Sequence, residues 1–560
     1  SIDSSEFFYR ETTLAARKTA DFFYTNLGPI LENFTPSIIL ESGHGHGVKI
    51  NPLQKKKKFE LLAFQGTEEE RLLEYKGLIR EYFAKKKSVL ICFPTIEEVA
   101  RFKNELVRGI EKYTFAFTDF KNTKEVKSTW KEALQERHPT LILGVAQILT
   151  IPRHDLGLII IEREASRFYK SLKRPYPDAR LFTENLAKLY EIPCLFADTS
   201  LRVETTFRIE NMEINRLSQS KMRIATSATC SMIDMKKAHA KDSSKRNEIE
   251  EILSGEAQKI IKESFQNNDR VFLFAIRRGL SSITLCNDCK EVVTCHSCRS
   301  PVVLHNASDP YFLCHRCGKR REAREICRSC GSWDLRAFGI GIEKISENIK
   351  NLFPNTPQYT ISKDTTKSVK RIHEIMEKFM KGGGILIGTE MALPYIQKKV
   401  EHSIVVTLDS LFAFPDFKIQ ERIFSIIQYI RERSKLSFLL QTRQADSLIL
   451  QSAIRGDYNS FYRQELESRQ TYHFPPFKTL IKFSIDGKKE MVVKIAENMI
   501  KREDFGQFEI FPVFTPGRNG VVLTAILREP QDESRKKTLI DYIKSLPPTI
   551  RVEIAPESLL

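Results

Sequence analysis

The chain has 560 residues and a formal net charge of +17, from 88 Lys and Arg against 71 Asp and Glu. A hydrophobic content of 41 % suffices for ordinary cores, and a chain of this length divides into roughly three to five domains. No stretch has the pattern of a signal peptide or an apolar span of about 18 residues, so no membrane partner is expected. The basic excess favours polyanions, of which nucleic acid is the commonest.

Residues 1–50 have partly helical patterning, with Phe22, Phe23 and Tyr24 followed by a break at Pro36. The run Gly43-His44-Gly45-His46-Gly47 has no third ligand nearby and is expected to be a loop rather than a metal site. From about 58 to 208, short apolar runs alternate with amphipathic stretches: Phe59–Phe64 then Glu68–Tyr82, Ser88–Phe93 then Ile96–Ile110, followed by Leu141–Leu143, Leu158–Ile161 and Cys194–Ala197. Strands of four to six residues alternating with helices predict a parallel sheet in an α/β domain. The charged stretch from 210 to 265 is expected to be linker plus one helix, Lys245–Ser264. A second α/β set follows at Val271–Ala275, Ile385–Ile387 and Ile404–Leu408.

That second set is interrupted by four C-x-x-C pairs: Cys286/Cys289, Cys295/Cys298, Cys314/Cys317 and Cys327/Cys330. Two residues between thiols let one tight turn present both sulfurs to one tetrahedral ion, so four pairs provide ligands for two structural Zn²⁺ ions. A disulfide framework belongs instead to short secreted chains. With every ligand a thiolate, neither site leaves a position for a catalytic water. His296, His305 and His315 are near, but with eight thiols available they are not taken as ligands. After Pro475-Pro476 a smaller α+β region runs to Arg551-Val552-Glu553-Ile554.

Two α/β lobes on a basic chain, with a cysteine module inserted in the second, resemble the bacterial primosomal protein N′ (PriA) family of replication-restart DNA helicases. The resemblance covers roughly residues 20–560. It is carried by Phe274-Ala275-Ile276-Arg277-Arg278-Gly279, Leu313-Cys314-His315-Arg316-Cys317-Gly318, Cys327-Arg328-Ser329-Cys330-Gly331-Ser332 and Phe338-Gly339-Ile340-Gly341-Ile342-Glu343. Phe353-Pro354, Ile387-Gly388-Thr389-Glu390-Met391, Leu408-Asp409, Asp416-Phe417, Glu421-Arg422, Asp457-Tyr458, Pro475-Pro476-Phe477 and Pro556-Glu557-Ser558-Leu559-Leu560 follow in order. The resemblance implies two RecA-like helicase lobes. It divides the chain into a partial winged-helix region (1–50), lobe 1 (51–215), linker and helix (216–265), the start of lobe 2 (266–283), a zinc module (284–338), the rest of lobe 2 (339–468) and a C-terminal domain (469–560). It implies one zinc on Cys286, Cys289, Cys327 and Cys330, and the other on Cys295, Cys298, Cys314 and Cys317. The zinc module and Arg277-Arg278 are expected to lie beside the DNA path, with Lys319, Arg320 and Arg321 adding local positive charge for phosphate contacts. The family's N-terminal domain that grips a DNA 3′ end is expected to be missing, through loss or because the sequence is a fragment.

The ATPase motifs depart from the family. Where G-x-x-x-x-G-K-[ST] belongs, the chain reads Phe64-Gln65-Gly66-Thr67-Glu68-Glu69-Glu70-Arg71-Leu72. Arg71 stands at the place of the phosphate-binding lysine, Leu72 at that of the Mg²⁺-binding hydroxyl, and three acids replace the glycine cradle. D-E-E-H becomes Glu162-Arg163-Glu164-Ala165, and G-S-A-T-P becomes Ala197-Asp198-Thr199-Ser200-Leu201. Of the two arginines of the last motif only Arg433 remains, the other place being Leu436. ATP with Mg²⁺ is therefore not expected to bind in the usual way. The expectation is a cytoplasmic, nucleoid-associated protein that binds forked or single-stranded DNA and works with single-stranded-DNA-binding protein and other primosome proteins, without ATPase or unwinding activity. An active 3′→5′ helicase and a zinc-ribbon module that binds protein are the alternatives.

Overall fold

The computed structural model describes residues 7–42, 59–217, 226–240, 252–276, 283–289, 291–297, 301–305, 311–314, 319–323, 325–338, 341–363, 365–366, 368–414, 416–502, 504–510, 515–517 and 520–559. Two compact units emerge: Ser1–Lys221 with Leu466–Leu559, and Met222–Glu465.

The first unit opens with helices α1 (Arg10–Phe22), α2 (Leu27–Phe34) and α3 (Ser37–Glu41). Among the described residues 7–42 there are these helices and no strand. There follow β1 (Leu61–Gln65), α4 (Glu68–Ala84), β2 (Ser88–Cys92), α5 (Ile96–Leu106), β3 (Thr114–Ala116), α6 (Thr123–Gln135), β4 (Leu141–Gly144), β5 (Leu156–Glu162), α7 (Ala179–Tyr190), β6 (Cys194–Asp198), α8 (Val203–Glu210) and β7 (Asn215–Arg216). The strands form one parallel sheet in the order β3-β4-β2-β5-β6-β1-β7. Its central strands are near-continuous apolar runs because helices cover both faces. Successive residues of β2 face opposite ways: Val89 and Ile91 join Tyr75, Ile79 and Phe102 from α4 and α5, whereas Leu90 and Cys92 join Trp130, Phe182 and Leu186 from α6 and α7.

The second unit contains β8 (Thr229–Asp234), α9 (Met235–Ala240), α10 (Gly255–Gln266), β9 (Arg270–Phe274), β10 (Ile283–Cys286), β11 (Val303–His305), β12 (Tyr311–Leu313), β13 (Arg320–Glu322), β14 (Leu335–Phe338), α11 (Ile342–Leu352), β15 (Gln358–Ile361), α12 (Val369–Gly382), β16 (Gly384–Gly388), β17 (Val400–Val405), α13 (Ile419–Glu432), β18 (Ser434–Thr442) and α14 (Leu448–Arg455). A helix, α15 (Tyr458–Thr471), follows. Its main sheet is also parallel, ordered β15-β16-β9-β17-β18-β8. Thr229–Asp234 was expected to be linker; instead it is the edge strand β8, in register with Ser437–Thr442 of β18. The expected helix Lys245–Ser264 is seen as α10, starting after an N-cap at Ser254, and residues 241–251 lie outside the described residues. Several motif residues have scaffold roles here. Glu390 accepts a two-point ion pair from Arg422 (2.8 and 2.6 Å), and Asp409 receives the Thr442 hydroxyl (2.5 Å) and the Arg443 amide (2.9 Å).

The last segment forms β19 (Leu480–Gly487), α16 (Lys489–Ile500), β20 (Phe508–Ile510), β21 (Thr515–Gly517), β22 (Gly520–Arg528), α17 (Glu533–Ser545) and β23 (Ile550–Ile554). This antiparallel sheet, ordered β20-β22-β19-β23, shares the first unit's core. Polar ties fasten it there: Lys170 Nζ donates to the Ile554 carbonyl (2.7 Å), and Arg180 bonds the Glu557 carboxylate.

A buried arginine–glutamate pair and a four-thiol cluster

The connection from β1 to α4 brings together the residues that stand at the family's phosphate-binding place. Thr67 caps α4 in a reciprocal box: the Glu70 amide donates to Thr67 Oγ1 (3.3 Å) and the Thr67 amide to Glu70 Oε2 (2.9 Å). Glu68, Glu69 and Glu70 in the first turn complement the helix's positive end, the role a phosphate would otherwise fill. A Cβ at Gly66 would lie 3.0 Å from the Phe64 ring and 3.1 Å from Glu70, so the loop lies tight against its own cap.

Arg71, one turn into α4, is 1 % exposed. Its Nε donates to both oxygens of Glu162 (3.1 Å each) and its Nη2 to Oε1 (2.8 Å). Its Nη1 donates to the Gly66 carbonyl (2.6 Å) and to Thr199 Oγ1 (2.7 Å). Tyr75 adds its hydroxyl to Glu162 Oε2 (2.5 Å). Burial raises the Glu162 carboxyl, and the Arg71 charge with its hydrogen bonds pulls it back down. Tyr75 is held far above its usual range by burial and by the Glu162 charge, so its proton stays in place as a donor. Arg71 and Glu162, expected at the phosphate-lysine and metal-carboxylate places, are thus joined to each other at the C-terminal edge of the sheet.

The remaining departures are also internally paired. Arg163, at φ +52°, reaches Glu98 Oε1 (2.5 Å), and Arg101 pairs with Glu68 (2.9 Å). Asp198 accepts the amides of Ala165 (3.0 Å) and Thr199 (2.7 Å), which ties the third motif's loop to the second's. Glu164 accepts the Arg202 amide (2.6 Å), and burial, opposed by the Arg202 charge, raises its carboxyl to about 7. In the second unit Arg433 is buried: its Nε donates to the Ile396 carbonyl (3.1 Å) and its guanidinium lies 3.5 Å from the Tyr429 ring centre. Leu436 is half exposed on β18.

The cysteine module is built on the β10–β14 pair and the three-stranded β11-β12-β13 sheet, both antiparallel. Cys286 and Cys289 lie on the turn leaving β10, and Cys327 and Cys330 on the turn before β14. All four sulfurs fall within 4.8 Å of one another, with Cys286–Cys330 and Cys289–Cys327 at 3.5 Å. A tetrahedral ion with Zn–S bonds of about 2.3 Å needs sulfurs roughly 3.8 Å apart, so this cluster fits one Zn²⁺. Cys295 and Cys314 are buried in a small core with Val302 and Phe312. Their expected co-ligands Cys298 and Cys317 lie outside the described residues, as does His315. His296 Nε2 lies 3.7 Å from a Glu325 carboxylate oxygen. Of the expected DNA contacts, Arg277 and Arg278 lie outside the described residues. Lys319 and Arg320 are exposed, Arg320 stacking 3.7 Å from the Tyr311 ring centre. Arg321 is half-buried and pairs with Glu325 (3.4 Å). Among the described residues no helix is long and apolar enough to cross a membrane.

No family model matches the chain. The chain does resemble curated proteins named replication restart protein PriA from many bacteria. That of Chlamydia pneumoniae is 28 % identical over 419 residues, which is 72 % of this chain and 54 % of the relative. That of Bacillus subtilis is 24 % identical over 412 residues, 72 % of this chain and 50 % of the relative. That of Rickettsia felis is 28 % identical over 444 residues, 76 % of this chain and 66 % of the relative. The chain therefore spans about half the length of the first two of these relatives. Among solved structures, RecG bound to a three-way DNA junction gives a TM-score of 0.40 at 10 % identity, covering 82 % of this chain and 47 % of that one. The DUF1998 helicase MrfA bound to DNA gives 0.38 at 9 %, covering 95 % and 64 %. Likenesses at that level carry no argument.

Proposed function

We propose that this chain is a DNA-binding protein of the replication-restart type that acts at forked or branched DNA without hydrolysing ATP. The observation that carries the second half is the buried Arg71–Glu162 pair. A triphosphate with Mg²⁺ would have to take Arg71 from Glu162 and leave one of them buried without its counter-ion. Breaking a buried pair in that way costs about 3–5 kcal/mol, roughly two to nearly four orders of magnitude in affinity. Glu68, Glu69 and Glu70 at the mouth of the loop add repulsion of about 1 kcal/mol each at 4 Å in water, and more in a cleft.

The first half rests on the resemblance to replication restart proteins and on the net charge of +17. The four-thiol cluster and the second set of four cysteines would each hold one structural zinc, the two-zinc arrangement that the resemblance implies. Single-stranded-DNA-binding protein and other primosome proteins are the partners that follow from the same reading. The test is titration of a fluorescent ATP analogue with and without forked DNA, beside an unwinding assay. DNA binding without nucleotide binding or unwinding is expected. DNA-stimulated hydrolysis that depends on Arg71 or Glu162 would overturn the reading in favour of an active helicase.

A further inference from the structure

The chain has two tryptophans, and they differ in every respect that matters to a ligand. Trp130 is 2 % exposed within the first unit's core; Trp333 is 74 % exposed. Trp333 sits beyond the second cysteine turn, on a segment fixed at both ends. The Cys327 amide donates to the Ser332 carbonyl (2.8 Å), and the Gly331 amide to the Cys327 carbonyl (2.8 Å), with Gly331 at φ +76° as the tight turn requires. On the far side the Asn287 amide donates to the Asp334 carbonyl (2.7 Å), and the Asn287 side chain to the Asp334 carboxylate (2.9 Å). The Asp334 amide in turn caps onto Ser332 Oγ (3.0 Å). A large ring left in water on a tethered backbone is held out by the module. Ile326, 46 % exposed, also precedes the Cys327/Cys330 pair. Exposed cations belong to the same small module: Arg328 between the paired cysteines, Lys319 and Arg320 at the start of β13, and Arg336 on β14, which is paired with the Asp334 carboxylate (2.7 Å).

We propose that Trp333 is a stacking platform for an unpaired base of single-stranded DNA, with exposed cations of the same cysteine module on the phosphates. The occupant is chosen by charge complementarity: an exposed aromatic ring on a module that carries exposed cations, in a chain of net charge +17, suits single strands bound without sequence preference. The inference rests on the DNA-binding reading above and assigns it a contact. Arg320, already over the Tyr311 ring, would then be directed at phosphate rather than base.

The test uses the full chain carrying Trp130→Phe, in which Trp333 is the sole tryptophan. Its emission is followed while a dT20 oligonucleotide is added, and binding is measured separately by anisotropy of a labelled copy of that strand. Stacking predicts quenching that tracks binding, and a loss of about 5- to 150-fold in single-strand affinity for Trp333→Ala. Trp333→Phe should keep most of the affinity, and duplex DNA of the same length should give little quenching. Metal content equal to the parent's confirms that each variant keeps its cluster. Binding with unchanged emission and an unaffected Trp333→Ala would overturn the inference, give the ring to another partner and leave the DNA-binding reading standing. Absence of binding to any DNA, forked included, would overturn both.

Discussion

Replacing Arg71 with alanine removes more than a charge. The residue is 1 % exposed and donates to Glu162, to the Gly66 carbonyl and to Thr199. Its loss leaves the Glu162 carboxylate buried with only Tyr75 as a direct side-chain donor among these contacts. A buried pair broken on one side costs about 3–5 kcal/mol, whereas replacing both partners with apolar groups of similar volume is often neutral or stabilising. Arg71→Ala should therefore destabilise the first unit by that amount, and Arg71→Met with Glu162→Leu by much less. The penalty should also depend on pH. With Arg71 gone, burial and the Asp198 charge, opposed by the Tyr75 hydrogen bond, raise the Glu162 folded pKa further above the unfolded value. The destabilisation is then smallest in acid, where the carboxyl is protonated, and grows as pH rises through the folded pKa. Trp130 in α6 provides the assay: its emission in a Trp333→Phe background reports the first unit during urea unfolding. With a slope of about 2–3 kcal/mol/M for a unit of this size, the midpoint should fall by about 1–2.5 M. A change below about 0.5 M at pH 7.5, or the same change at pH 5, would refute the idea that this pair holds the site shut.

Glu164 allows a cleaner pH experiment. Its folded pKa of about 7 lies above the ordinary 4.5, so its stabilising contribution is full below pH 4.5 and is lost as pH rises through 7. Glu164→Gln should gain on the wild type over that interval by on the order of 2–3 kcal/mol in denaturant titrations. Lys170 has the opposite form: burial lowers it to about 8 from 10.5. The wild type should gain stability relative to Lys170→Met as pH rises from about 8 past 10.5, and a flat difference curve would count against this burial. Metal analysis should give about two zincs per chain and about one for Cys330→Ser, whose thiol belongs to the described cluster. At Gly388, an added Cβ would meet Ala392 Cβ at 2.6 Å and the Phe272 ring at 3.0 Å; Gly388→Ala should cost about 1–3 kcal/mol in the second unit, read by thermal unfolding.

Local patterning located β1, β2, β4, β5 and β6 of the first parallel sheet and β9, β16 and β17 of the second, but not β3, β7, β8, β15 or β18. The run Leu158–Ile161 lies inside β5, and Glu68–Tyr82 inside α4, because a strand buried on both faces and a helix capped by Thr67 carry their signals within a few residues. Strands β3 and β8 escaped for physical reasons. Thr114–Ala116 is three residues long, and Thr-Cys-Ser-Met-Ile-Asp at a sheet edge pairs on one side only and needs no apolar run. At the site, both Arg71 and Glu162 stood out as departures, yet their direct pairing spans 91 positions. The usable signal was complementary: a cation at one phosphate-site position and a carboxylate at another that the same sheet edge gathers. Nothing local marked residues 466–559 as part of the first unit, since Arg180–Glu557 and Lys170–Ile554 link positions more than 370 apart.

That discontinuity bears on how the protein is made. The first unit needs residues on both sides of Met222–Glu465, whereas the second is one uninterrupted stretch that can close as soon as it leaves the ribosome. At roughly 5–20 residues per second, the intervening stretch takes on the order of ten to fifty seconds to synthesise. Throughout that time the first unit's core lacks the residues of 466–559 that it later shares, and the buried Lys170 lacks the Ile554 carbonyl. The nascent first unit is thus the aggregation-prone species of this chain. Chaperone demand should accordingly fall when residues 466–559 are supplied early, as in a circular permutant that places them ahead of α1.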